Sequence, residues 1–355
     1  MVAQQHSAPR TDGARRPRTV VVTGASGGVG RAVARRFAAS GDRVALLARG
    51  DAGLAAAAED VEKLGGTPFV VEVDVADHEA VDAAADTVEE RLGPIDVWIN
   101  AAFSTIFAPV GDITAEEFRR ATEVTYLGVV YGTMAALKRM NVRGRGSIVQ
   151  VGSALAQRSI PLQSAYCGAK HGVDGFTESL RTELLHDRSA IHVTVVQLPA
   201  VNTPQFSWAR SRLARHPRPV APIYQPEVAA RAVHYAADHP ARKQYWLGIS
   251  TVLTLLGQRT CPAVLDRYLA RTGYDSQQTD QHVHEHNGNL TGPLDAETGH
   301  DYGAHGVFDA ESHARSELWW LRTVVGRLTT ISGSVAGMWR GIRREFWREM
   351  RGVEY

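Results

Sequence analysis

Ser153, Tyr166 and Lys170 are the residues whose types and spacing point most directly to chemistry. Tyr166 lies thirteen residues beyond Ser153, and Lys170 four beyond that. A helix over residues 164–181 puts Tyr166 and Lys170 on one face, as an i,i+4 pair. A phenol ordinarily keeps its proton up to about pH 10, and a neighbouring ammonium favours the phenolate. The Tyr can then exchange a proton nearer neutral pH. A Ser hydroxyl arriving from the preceding strand end can hold a substrate oxygen against that phenol. Taken alone, Tyr-x-x-x-Lys is a common pair on helices, so its surroundings have to decide.

Those surroundings alternate. Short apolar, β-branched runs at 19–23, 43–48, 68–74, 97–100, 146–152, 192–198 and 244–248 read as strands. Ala-rich helical patterns at 28–40, 54–64, 79–92, 115–140 and 164–186 lie between them. The pattern predicts an α/β fold, a Rossmann-like doubly wound parallel sheet of about seven strands with helices on both faces. Right-handed crossovers place a ligand site at the carboxyl ends of its strands. We expect a basic tail over 1–18, a catalytic domain over 19–275, and a C-terminal extension over 276–355.

The first strand runs into Thr23-Gly24-Ala25-Ser26-Gly27-Gly28-Val29-Gly30. Glycines there permit a tight strand-to-helix turn and close approach of backbone to ligand. The following helix offers free N–H groups and the positive end of its dipole to a pyrophosphate. The spacing is Thr-Gly-x-x-x-Gly-x-Gly, which differs from the usual dinucleotide fingerprint. With this turn, Ser153 and Tyr166-x-x-x-Lys170, the chain resembles the short-chain dehydrogenase/reductase family over roughly residues 18–250. Val73-Asp74-Val75 stands where the family has an Asp near the adenine. Ile99-Asn100-Ala101-Ala102 stands where it has Asn-Asn-Ala-Gly. Pro199 to Thr203 is similar to its segment beside the nicotinamide.

The resemblance implies an NAD(P)-dependent oxidoreductase that reduces a ketone or aldehyde, or runs the reverse alcohol oxidation. Tyr166 would be the general acid/base, Lys170 would lower its pKa and hold the nicotinamide ribose, and Ser153 would polarise the carbonyl oxygen. Gly24, Ser26, Gly28, Val29, Gly30, Arg49, Asp74, Val75, Asn100, Pro199 and Thr203 would join Tyr166 and Lys170 in binding the cofactor. The second strand ends Leu47-Ala48-Arg49, with no acid to bind ribose hydroxyls and a guanidinium suited to a 2′-phosphate. That predicts NADP(H) over NAD(H), against the alternative of Arg49 as a solvated loop charge. Thr125 stands where the family has a fourth catalytic residue, an Asn thought to hold a relay water; a Thr hydroxyl has a shorter reach. This departure keeps a second reading open, a catalytically weak dinucleotide-binding sensor or scaffold protein on the same fold.

Composition excludes little else. The 355-residue chain carries a net charge of about +1, which gives no argument for nucleic acid. Two cysteines, Cys167 and Cys261, make a disulfide framework improbable and point to a cytoplasmic protein. Cys167 adjoins Tyr166 but is expected on the packing side of its helix. Residues 204–225 hold Phe206, Trp208 and Tyr224 with Arg210, Arg212, Arg215 and Arg218. They read either as a substrate lid with an apolar floor and basic rim, or as a solvated amphipathic helix. Phe103 and Phe206 are the expected substrate contacts beside Ser153 and Tyr166. Residues 276–313 read as a long polar loop or lid. Its histidines (His282, His284, His286, His300, His305 and His313) show no ligand spacing, and no metal is expected. Leu318 to Met350 reads as an amphipathic Trp/Arg helix. It would lie peripherally on an anionic membrane, pack on its own domain or a second subunit, since members of the family are usually homo-oligomers, or else be disordered.

Overall fold

A computed structural model describes residues 15–282, 288–295, 299–317 and 319. Most of the expected basic tail and of the C-terminal helix, with His284 and His286, therefore lies outside the described residues. In chain order the first half contains β1 (Thr19–Thr23), α1 (Gly28–Ala38), β2 (Arg43–Ala48), α2 (Asp51–Lys63), β3 (Thr67–Glu72), α3 (His78–Leu92), β4 (Ile95–Asn100) and β5 (Ile106–Phe107). Next come α4 (Ala115–Thr122), α5 (Gly128–Arg143), β6 (Arg145–Ser153), α6 (Ser164–His186), β7 (Ala190–Leu198) and β8 (Ala200–Val201). The rest comprises α7 (Gln205–Trp208), β9 (Arg210–Ser211), β10 (Arg215–Pro217), β11 (Ile223–Tyr224), α8 (Pro226–Asp238) and β12 (Gln244–Trp246). Helices α9 (Ile249–Thr260) and α10 (Pro262–Thr272) and strands β13 (Gln278–His282) and β14 (Ser312–His313) follow.

Seven parallel strands form the central sheet in the order β12-β7-β6-β4-β1-β2-β3. The chain reverses direction across the sheet between β1 and β4, which opens a crevice at their carboxyl ends. Strand β1 explains why both faces are covered: Val20 and Val22 pack with Phe37 of α1 and Val233 of α8, while Val21 packs with Val88 and Met140 on the opposite side. Alternate side chains on a strand point to opposite faces, so a run of valines requires two helical layers. Asp77 caps α3 through the Glu79 and Ala80 N–H groups, and Thr114 with Glu117 forms a capping box on α4.

Two segments differ from expectation. The pattern over 115–140 is not one helix: a π-turn over Glu123–Leu127 separates α4 from α5 and sets Thr125 against the loop after β4. The segment 204–225 is helical only at Gln205–Trp208 and then forms short strands. Strand β13 pairs antiparallel with β10, and β14 pairs parallel with β11, so the polar stretch after 275 is knitted to the segment after β7. Backbone pairing and ion pairs hold it down, together with a few buried apolar anchors, Leu290, Ala304 and Phe308. Trp319 at the start of the aromatic tail packs edge-on against Tyr235 and Tyr245 of the same chain. Among the described residues no helix is long and apolar enough to cross a membrane.

Candidate active site

The crevice leads into a cavity of about 480 Å³. It is lined by Gly24, Ser26, Gly28, Val29, Gly30, Arg49, Asp74, Val75, Pro199 and Thr203 at one end, and by Ser153, Tyr166, Lys170, Phe103 and Phe206 at the other. Each element delivers its part for a local reason. Gly24 and Gly28 have φ of +68° and +54°, which non-glycine side chains rarely adopt. A Cβ on Gly24 would come within 2.7 Å of the Ala102 Cα. A Cβ on Gly30 would run into the Gly24 carbonyl, so the turn and α1 pack at backbone contact. Helix α1 begins at Gly28 behind Gly27, which gives it no side-chain cap. This cradle and its helix terminus fit a dinucleotide phosphate.

Strand β6 ends at Ser153, whose Oγ accepts from the Leu155 N–H at 3.1 Å and starts a short turn towards α6. Tyr166 and Lys170 sit on the cavity face of α6. Ser153 and Tyr166 line the cavity together, with the Ser153 hydroxyl close enough to act on the phenol. Burial pushes the Tyr166 phenol well above its ordinary value, and the Ser153 contact offsets only part of this. Burial lowers Lys170 to about 8, with Asp174 one turn on opposing the shift. Lys170 Nζ donates to the Val151 carbonyl at 2.7 Å and lies 5.7 Å from the Tyr166 ring centre. The pair is adjacent as the spacing predicted. Burial dominates the phenol, however, and favours its protonated form. Phe103 packs edge-on against Tyr166 at 5.7 Å.

Two of the sequence-derived residues lie apart from the cavity lining. The Asn100 side chain is buried beneath the sheet edge. It accepts from Trp98 Nε1 at 2.8 Å and donates to Gln150 Oε1 at 2.8 Å and Thr133 Oγ1 at 3.1 Å. Thr125 Oγ1 accepts from the Ser104 N–H and donates to the Ser104 carbonyl, both at 2.8 Å. Its proton is spent pinning the loop after β4. Cys167 is buried on the packing side, and burial raises its thiol pKa.

The basic rim expected over 204–225 is tied up in ion pairs. Arg210 and Arg212 bind Glu117, Arg215 binds Asp275, and Arg218 binds Glu311. These arginines brace the lid, and the cavity is lined there by Leu155, Ile160, Phe206, Val220, Leu265 and Leu269 together with Arg158, Gln163, Arg218 and Gln277. Among the described residues no cluster of His, Cys, Asp or Glu could hold a metal ion.

Sequence reasoning read 276–313 as a loop or lid and named His300 in it, but assigned none of its residues to the crevice. Part of the C-terminal extension crosses the nucleotide end: Asn289, Leu294, Asp295, His300 and Tyr302 line the cavity. The Gly28 N–H donates to the Gly303 carbonyl at 3.1 Å, Arg31 pairs with Asp301, and Tyr302 packs edge-on against Trp208. Arg49 Nη2 donates to the Asn289 carbonyl at 2.6 Å. Asp74 pairs with Arg120, whose Nε donates to the Leu290 carbonyl at 3.2 Å. Burial alone would raise the Asp74 carboxyl, but the Ala76 N–H and Arg120 outweigh it and hold the carboxyl below its ordinary value. The sequence signal for this roof was its polar composition, which carries no address for its contacts.

Residues 18–213 match the family described as short chain dehydrogenase. The chain is 33% identical over 264 residues to the uncharacterized oxidoreductase YxnA of Bacillus subtilis, covering 74% of each chain. The chain belongs to the short-chain dehydrogenase/reductase family. It is also 33% identical over 193 residues to the 3-dehydrosphinganine reductase of Danio rerio, covering 53% of this chain and 58% of that one. With the putative oxidoreductase SadH of Mycobacterium tuberculosis it shares 36% identity over 190 residues, 52% of this chain and 67% of the relative. Membership makes this short-chain dehydrogenase/reductase an oxidoreductase of CH–OH groups that uses a nicotinamide dinucleotide.

Proposed function

We propose that this chain reduces a ketone or aldehyde with NADPH, with Tyr166 as the general acid, and catalyses the reverse oxidation with Tyr166 as the base. The observation that carries the reading is one cavity lined by the glycine turn at one end and by Ser153, Tyr166 and Lys170 at the other. The dinucleotide, held by the Gly24–Gly30 turn, Asp74 and Thr203, supplies the hydride. Ser153 and Tyr166, which line the same cavity, present two hydroxyls to a carbonyl oxygen. Tyr166 gives its proton to that oxygen as negative charge develops there, and the charged Lys170 beneath it favours the phenolate that remains. The apolar side chains of the cavity wall support a hydrophobic carbonyl compound as substrate. Arg49, following Ala48 at the end of β2, supports the preference for NADP(H).

The test is oxidation of NADPH and NADH across a panel of ketones and aldehydes. We expect turnover with apolar substrates, a higher kcat/KM with NADPH, and a loss of at least about a thousandfold in kcat for Tyr166→Phe. Nucleotide affinity should stay within about threefold. Wild-type rates in that variant would refute the acid assignment, and equal efficiency with both nucleotides would refute the preference. The commitment of Thr125 to Ser104 favours one other reading, a dinucleotide-binding sensor with little turnover. Tight NADPH binding with no turnover on any of the panel would select it.

A further inference from the structure

Asp295 is buried in the nucleotide end of the cavity, brought there by the C-terminal segment. Its Oδ2 accepts from the Gly53 N–H at 2.9 Å, the third residue of α2. Gly50, which precedes that helix, gives it no side-chain cap. A Cβ on Gly50 would collide with the Asp295 carboxylate, and one on Gly53 would stand 3.2 Å from Oδ2. The carboxylate therefore lies flat on the first turn of α2, at the positive end of its dipole. Arg49, the residue before Gly50, feels its charge. An anion on this helix terminus, beside a guanidinium and directly after β2, has the chemistry and the place that a ribose 2′-phosphate requires.

We propose that Asp295 occupies the 2′-phosphate subsite, so that the chain's own carboxylate competes with NADP(H) there and sets how strongly the 2′-phosphate is preferred. The inference rests on the dinucleotide reading above. A 2′-phosphate carries up to two negative charges and cannot share the first turn of α2 with a carboxylate at low dielectric; Asp295 must move away for it to bind. A ribose with a free 2′-hydroxyl imposes no such demand, because a hydroxyl can donate to the carboxylate where it stands. Arg49 and Asp295 thus pull in opposite directions. The guanidinium favours the phosphate, and the acid from the extension limits that advantage.

The test is calorimetric titration of the full chain with 2′,5′-ADP and with 5′-AMP, which differ only in the 2′-phosphate and require no turnover. Asp295→Asn keeps the shape and removes the charge. It should tighten 2′,5′-ADP about tenfold or more while changing 5′-AMP less than about threefold. Asp295→Ser, measured beside it, serves if the amide variant melts below the wild type. Equal changes for both nucleotides, no change for either, or weakening of 5′-AMP alone would overturn the proposal. The last result would make Asp295 a partner of the ribose hydroxyls instead. Failure of both nucleotides to bind wild type and variants would refute the dinucleotide reading itself, a result distinct from all of these.

Discussion

Lys170 is buried and Tyr166 partly so, and desolvation acts on them in opposite directions. It raises the phenol and lowers the ammonium, because in both cases it disfavours the charged form. The proposed reduction would need a neutral Tyr166 and a charged Lys170, so the lysine would limit the pH range. Lys170 is protonated below its value of about 8 and loses its charge as pH rises through it. We expect kcat for carbonyl reduction to be level below about pH 7 and to fall above about pH 8. In Lys170→Arg, whatever rate remains should show no such fall up to about pH 10, since a guanidinium keeps its proton. A profile unaltered by that substitution would remove Lys170 from the titration. Thr125 shows the limit of assigning roles by position. The hydroxyl occupies the expected place on the chain, but its bonds to Ser104 make it a loop anchor.

The same distinction governs elements. Asn100 ends β4 at the crevice, where its position in the motif suggested a cofactor contact. Its side chain instead ties β4 to α5 and β6 through Trp98, Thr133 and Gln150. All of these groups are buried, so each bond lost leaves a partner without water. Asn100→Ala is expected to lower the unfolding free energy by about 3 kcal/mol, read by urea denaturation, while 5′-AMP affinity changes less than about threefold. A variant of wild-type stability with weakened nucleotide binding would restore the cofactor role. Strands and helices were legible because short β-branched runs and Ala-rich helical patterns alternate along the chain, and the sheet they form is covered on both faces. The break between α4 and α5 was not legible. A π-turn keeps helical periodicity nearly intact and leaves almost no mark in the pattern.

At the scale of the molecule, the extension closes over the crevice and is clamped behind it. His305 bridges Glu227 of α8 at 2.9 Å and Asp309 at 2.7 Å. Next to it the Gly306 and Phe308 N–H groups donate to Asn202. Burial would lower the His305 pKa, but its bonds to Asp309 and Glu227 outweigh burial and raise it. A raised folded pKa adds stability that is fully present below the ordinary value of 6.5 and is lost as pH rises through the raised one. The clamp should therefore loosen on the alkaline side. Hydrogen exchange at Gly306 and Phe308, corrected for the intrinsic rate, should be more protected at pH 6 than at pH 9. His305→Gln should flatten the difference. Equal protection at both pH values in the wild type would mean that His305 does not hold the roof.

The order of strands and helices, the glycine turn and the Ser153, Tyr166 and Lys170 set were determined by the sequence itself, because each rests on local periodicity or on fixed spacing within one or two neighbouring elements. What lies over the cofactor crevice was decided only by the tertiary structure. Asp295 meets Gly53 across 242 positions of the chain, and Asp301 meets Arg31 across 270. Contacts so distant leave no period and no spacing to read. They follow from which polar groups the folded sheet leaves exposed at its edge for a polar segment to satisfy.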